Sequence, residues 1–89
     1  MKIVIAGGKH EADYIVNMFK QDNNDLIIVN QDQNFCQYIS KNNKVDCIYG
    51  NPSSKRILDE IHINNFDLLI ALTDNDATNY SICQMAKKM

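Results

Sequence analysis

The chain has 89 residues, 45% of them hydrophobic, and at that length it buries only about two-thirds of the surface its unfolded form exposes, which excludes a second independent core. A formal net charge of -2 and a pI near 5.5 exclude the clustered Lys and Arg that a nucleic-acid surface requires. No apolar stretch reaches the roughly 20 residues needed to span a bilayer, and the run before Gly7-Gly8-Lys9-His10 is too short for a signal peptide, so any membrane connection is expected to run through a partner.

Lys2-Ile3-Val4-Ile5-Ala6 is an almost wholly apolar, β-branched run, the signature of a strand buried on both faces of a parallel sheet. It meets the turn Gly7-Gly8. Ala12, Ile15, Val16 and Phe19 then recur at helical spacing, and Gln21-Asp22-Asn23-Asn24 ends that helix in polar turn residues. Leu26-Ile27-Ile28-Val29 predicts a second buried strand, followed by Phe35, Cys36 and Ile39 on one face of a second helix that Asn42-Asn43 closes. Val45 through Tyr49 supplies a third strand before Gly50-Asn51-Pro52, and Ser53 is the predicted N-cap of a helix carrying Ile57, Leu58 and Ile61. Leu68-Leu69-Ile70-Ala71-Leu72 is the fourth strand, running into Thr73-Asp74-Asn75-Asp76 and a last helix through Tyr80, Ile82, Cys83 and Ala86. Strands alternating with helices predict one α/β domain over residues 1–89, a Rossmann-type parallel sheet of about four strands in the order 3-2-1-4 with flanking helices.

In such a sheet ligands bind outside the carboxyl ends of the strands, at the switch in strand order. The polar loops at residues 7–11, 30–32, 50–52 and 73–76 converge there. A helix starting after Gly8 presents unpaired N–H groups and the positive end of its dipole, which favour phosphate. Against the dinucleotide fingerprint G-x-G-x-x-G/A, the run Gly7-Gly8-Lys9-His10-Glu11-Ala12 matches at the first and third glycine positions, with Lys9 at the second. The Cβ of Lys9 restricts a close pyrophosphate, whereas its ammonium suits phosphate charge approached from the side, and Glu11 adds negative charge nearby. Phosphate binding and a purely structural strand-to-helix turn both remain open on this pattern. So do two readings of Asn30, which stands where such folds place an acid for the ribose: a weaker ribose acceptor sharing that task with Asp32, or an Asn that simply ends a strand.

Three segments together carry a resemblance: Met1-Lys2-Ile3-Val4-Ile5-Ala6-Gly7-Gly8, Gly50-Asn51-Pro52-Ser53, and Ile70-Ala71-Leu72-Thr73-Asp74-Asn75-Asp76-Ala77-Thr78-Asn79. Across its whole length the chain resembles the TrkA N-terminal family, the nucleotide-sensing domains of regulators of potassium conductance. The resemblance implies a noncatalytic, cytoplasmic regulatory domain that binds an adenine nucleotide, ATP or ADP ahead of NAD(H). It further implies a membrane potassium channel or transporter subunit as partner, with assembly into a homo-oligomer. By position it sets Gly7, Gly8, Lys9, His10 and Glu11 toward phosphates, Asn30 and Gln31 toward ribose with Asp32 beside them, Asn51 near adenine with Gly50 counted among the cofactor-binding residues, and Thr73 and Asp74 closing the cleft. Lys9, Asn30 and Asn51 depart from the family pattern. The family domain continues through two more strands, so the chain is expected to be part of a longer protein. The competing readings are the first Rossmann half of an NAD-dependent oxidoreductase and a degenerate, ligand-free oligomerisation module.

The remaining polar residues have plainer explanations. His10 reads as a solvated helix-start residue and His62 as a partner of terminal helix carbonyls, neither at metal-ligand spacing. Asp74 and Asp76 read as helix caps and dipole partners. Cys36, Cys47 and Cys83, odd in number and without a C-x-x-C pair, point to a reducing compartment and to packing rather than pairing or reactivity. Tyr14, Tyr38, Tyr49 and Tyr80 are expected as rim or core aromatics, and Met85 and Met89 as part of a contact with another subunit or the rest of the domain.

Overall fold

The computed structural model describes residues 1–43 and 45–89, the side chain of Gln21 excepted. Strands β1 (Lys2–Ala6), β2 (Asp25–Asn30), β3 (Asp46–Tyr49) and β4 (Leu68–Ala71) alternate with helices α1 (His10–Phe19), α2 (Gln33–Asn43), α3 (Lys55–Glu60) and α4 (Asp76–Lys87). All strand pairs are parallel, and the spatial order is β3-β2-β1-β4. The α/β reading and the 3-2-1-4 order are therefore what the chain adopts. β1 occupies the interior of the sheet, with Ile5 in register with Ile28 on one side and Ile70 on the other.

The period-two alternation of strand side chains divides the core into two layers. Ile3, Ile5, Leu26 and Ile28 pack with Ala12 and Val16 of α1 and Ile39 of α2 on one face. Val4 and Val29 pack with Ile57, Leu58 and Ile63 on the other, where Met85 and Ala86 of α4 join them. Ile3, Val4, Ile5 and Ala6 are fully buried, as an interior strand requires. Burial of each Ile or Val side chain stabilises the fold by about 1.5–3 kcal/mol relative to exposure. Helices on both faces force the chain to cross the sheet after β3, and this crossing opens the cleft between the ends of β1 and β4.

Several local expectations change in the folded chain. The N-cap position of α3 is Ser54, not Ser53, and Ser54 makes no side-chain capping bond. Ser53 Oγ instead donates to Asn51 Oδ1 at 2.7 Å, because Asn51 folds the loop into a tight Asx turn that also takes the Ser53 N–H at 2.9 Å. The N-cap of α4 is Asn75, whose side chain accepts from the Thr78 N–H, while Asp76 lies in the first turn. His62 sits in the left-handed region at φ 59°, and its backbone N–H, rather than its ring, bonds the Asp59 carbonyl oxygen at 3.0 Å. Tyr14, Tyr38, Tyr49 and Tyr80 all lie exposed on the surface rather than in the core.

The cysteine reading also requires correction. Cys36 of α2 and Cys47 of β3 form a disulfide, with Cα atoms 5.2 Å apart, while Cys83 remains free. Strand β3 lies beside β2, and α2 packs back across that pair of strands, so residues separated by 11 in sequence become neighbours. Linear spacing without a C-x-x-C motif did not reveal that contact.

Candidate functional site

A cleft of about 690 Å³ opens at the carboxyl ends of the strands, between the β1–α1 turn, the β2–α2 loop and the β4–α4 loop. That volume falls within the range of small-molecule sites. Its floor is set by Gly7 and Gly8, which adopt φ of 85° and 89°, a region that L side chains enter only at a cost. Space reinforces the requirement. A Cβ on Gly7 would lie 2.8 Å from Thr73 Cγ2, and one on Gly8 would lie 3.0 Å from Leu72 Cβ. The glycines thus let the β1–α1 turn press against the end of β4, and the Gly7 N–H bonds the Val29 carbonyl oxygen at 2.8 Å on the opposite side.

Helix α1 begins directly after this turn with no side-chain cap at Lys9. The first N–H groups of a helix have no intrahelical acceptor, so they and the positive end of the dipole face the cleft mouth. Lys9 does not leave its own ammonium unpaired. Its Nζ lies 2.9 Å from Asp32 Oδ2 and bridges the β1–α1 and β2–α2 loops.

Asn30 ends β2 and is only 3% exposed. Its Nδ2 donates to the Gly8 carbonyl oxygen at 2.6 Å, and its Oδ1 accepts the Asp32 N–H at 3.0 Å. The amide therefore ties the glycine turn to the next loop, a task that needs a donor and an acceptor on one short side chain. A carboxylate in its place would set an anion against the Gly8 carbonyl oxygen. Asp32 in turn accepts the Phe35 N–H on Oδ1 at 3.1 Å, capping α2, while Oδ2 faces Lys9. The Lys9 ammonium, followed by the Phe35 N–H, holds the Asp32 carboxyl below its ordinary value of 3.8.

Across the cleft, Thr73 is fixed by Asn79. The Thr73 N–H and hydroxyl donate to Asn79 Oδ1 at 2.8 and 2.6 Å, and Asn79 Nδ2 donates back to the Thr73 carbonyl oxygen at 3.1 Å. This network stabilises the loop internally and holds the Thr73 side chain against Gly7.

The fold brings Gly7, Gly8, Lys9, Glu11, Asn30, Gln31, Asp32, Thr73 and Asp74 around one cleft. His10, Gly50 and Asn51 are not among its lining residues. His10 is exposed at the start of α1. Gly50 is placed by close packing, since a Cβ there would collide with Ile57 Cδ1, and the Asn51 side chain is occupied by Ser53. Gln33, Pro52 and Leu72 line the cleft as well. Leu72 directly follows β4 and Pro52 lies in the loop after β3, but apolar side chains carry no chemical signature of a site. The charged lining side chains are Lys9 against Glu11, Asp32 and Asp74. An anionic ligand would therefore depend on the α1 N–H groups and Lys9. Among the described residues, no group of three or more His, Cys, Asp or Glu side chains is arranged to hold a metal ion, and no helix is long and apolar enough to cross a membrane.

Residues 3–89 match the family model described as the TrkA-N domain. The chain is similar to the Trk system potassium uptake protein TrkA of Haemophilus influenzae, at 27% identity over 85 residues that cover 96% of this chain and 19% of that protein. It is 26% identical over 88 residues to a TrkA homolog of Methanothermobacter thermautotrophicus, covering 99% of this chain and 41% of the relative. A TrkA homolog of Archaeoglobus fulgidus is 33% identical over 89 residues, covering 100% of this chain and 20% of the relative. The chain spans less than half the length of each of these relatives.

Proposed function

Because the chain belongs to the TrkA-N domain family, we propose that it is a noncatalytic regulatory domain that binds an adenine nucleotide and passes the resulting conformational preference to a potassium-transporting membrane partner. The observation that carries this reading is the start of α1, uncapped and aimed from two left-handed glycines into a cleft of about 690 Å³. The relatives are proteins of potassium uptake, which supports a role in that process rather than in hydride transfer. A homo-oligomer of the domain supplies the arrangement whose preference the ligand biases. Binding acts only through a difference in affinity between two arrangements, with typical couplings of about 1–3 kcal/mol.

ATP or ADP is placed ahead of NAD(H). A dinucleotide pyrophosphate uses close backbone approach at the second fingerprint glycine, where this chain carries Lys9, while a terminal phosphate meets the ammonium from the side. Thermal-shift titration of the 89-residue chain with ATP, ADP, AMP, NAD+, NADH and NADPH tests the assignment. A ligand at a hundredfold excess over its Kd adds about 2.7 kcal/mol and raises Tm on the order of 10 °C. The expected order is ATP or ADP first, then NAD(H). No shift with any nucleotide would overturn the reading in favour of a ligand-free oligomerisation module, and a response to NADH alone would favour the oxidoreductase half.

A further inference from the structure

Resting on the nucleotide reading above, we propose that the Lys9–Asp32 pair is a clasp that exchanges partners when a ribonucleoside phosphate binds. Asp32 Oδ2 passes from the Lys9 ammonium to a ribose hydroxyl, and Lys9 passes from Asp32 to a phosphate. Diol recognition in this chain thereby falls to Asp32 instead of the strand-end residue Asn30.

Three observations lead there. First, Asn30 is consumed: buried at 3% exposure, it spends its amide on the Gly8 carbonyl oxygen and its oxygen on the Asp32 N–H. It is a positioning residue that sets the distance between the glycine turn and Asp32. Second, the two Asp32 oxygens have different duties. Oδ1 caps α2 through the Phe35 N–H, which fixes the carboxylate plane, and Oδ2 is left with an ion pair to Lys9. Third, that pair is exchangeable. Its side chains are 65% and 31% exposed, and ion pairs in such settings are weak and screened by salt. Lys9 is anchored immediately before α1, so its flexible stem serves either Asp32 or an anion at the helix start.

The exchange has an observable consequence. A ligand with a diol and no phosphate competes with Lys9 for Asp32 without offering the ammonium a new partner. A ligand with both groups compensates both members of the pair. The chain therefore discriminates ribonucleotides from nucleosides more sharply than either contact alone would dictate.

Calorimetric titration of the 89-residue chain with adenosine, ADP and 2′-deoxy-ADP, in wild type, Lys9→Met and Asp32→Asn, tests the clasp. Asn is as good an N-cap as Asp, so Asp32→Asn keeps the α2 start intact. Lys9→Met is expected to weaken ADP about tenfold and to tighten adenosine a few-fold, because Asp32 is then free for the sugar. Wild type is expected to prefer ADP over 2′-deoxy-ADP, and Asp32→Asn, whose amide accepts a hydroxyl more weakly than a carboxylate does, to reduce that preference severalfold. Opposite signs for adenosine and ADP would not arise from a merely structural lysine. If ADP binds wild type but Lys9→Met shifts both ligands in the same direction or neither, the clasp is overturned while the nucleotide reading stands. Undiminished deoxy discrimination in Asp32→Asn has the same meaning. Failure of wild type to bind ADP at all overturns both.

Discussion

The two helices that start beside the sheet's switch point begin in opposite ways. At α4, Asn75 caps the first turn through the Thr78 N–H, and Thr73 and Asn79 satisfy one another through three bonds. At α1, two glycines in the left-handed region lead into a first turn with no side-chain cap. Both starts border the same cleft and face the same solvent. The α4 loop supplies internal acceptors for the Thr73, Asn75 and Thr78 N–H groups and serves as a wall, whereas the first turn of α1 has no side-chain acceptor and, on the function proposed above, turns its donors to the nucleotide. Polar residues near a strand end thus do not by themselves mark a loop as ligand-facing; at α1 that role rests on an uncapped start that also borders the cleft.

Substitutions can break that contrast, and the largest effect is expected at the glycine turn. Gly7→Ala forces an L side chain to φ 85° and sets its Cβ 2.8 Å from Thr73 Cγ2. Denaturant unfolding should register a loss of roughly 2–4 kcal/mol. Next comes Asn79→Ala, which strips the Thr73 backbone and hydroxyl of their partners and should cost about 1–3 kcal/mol in the same measurement.

A paired comparison sharpens the point further. Asn75→Ala removes a working cap and should lower stability by about 1 kcal/mol. Lys9→Ala occupies the equivalent position on α1, where no side-chain cap exists, and should lower stability by less than Asn75→Ala does, since only an exposed ion pair to Asp32 is lost, while weakening ATP binding. An equal loss of stability at both positions would show that the two helix starts do not differ as described.

The smallest effect is electrostatic. The folded Asp32 carboxyl lies below 3.8, chiefly through Lys9 and then the Phe35 N–H. Because the folded value is depressed, its contribution to stability is present above the unfolded carboxylate value and is lost as pH falls through the folded one. A carboxyl-detected NMR titration should give a midpoint below 3.8 for Asp32, and Lys9→Met should raise it part of the way, since the Phe35 bond persists.

The legible part of the fold was what rests on local pattern. Lys2-Ile3-Val4-Ile5-Ala6 announced an interior strand, and four alternations of apolar runs with helical spacing were enough for the 3-2-1-4 order. Gly7 and Gly8 were legible as a turn because glycine adopts positive φ without the steric cost that a Cβ brings. What escaped depends on contacts between distant residues. The bond from Asn30 to Gly8 spans 22 positions, and nothing local to Val29-Asn30-Gln31 reveals that the amide is already spent. The Cys36–Cys47 disulfide required knowing that α2 folds back over β3. The α3 cap position falls at Ser54 instead of Ser53 because the Asx turn at Asn51 takes both the N–H and the hydroxyl of Ser53, which composition does not reveal.

The most direct test of the open α1 start is amide chemical-shift mapping as ADP is added. The backbone N–H signals of Gly8, Lys9, His10, Glu11 and Ala12 should move strongly and saturably, while those of Asp76, Ala77 and Thr78, at the α4 start, stay near their original positions. Large shifts at the α4 residues with an unmoved α1 turn would contradict the account, as would saturable binding that leaves both helix starts untouched.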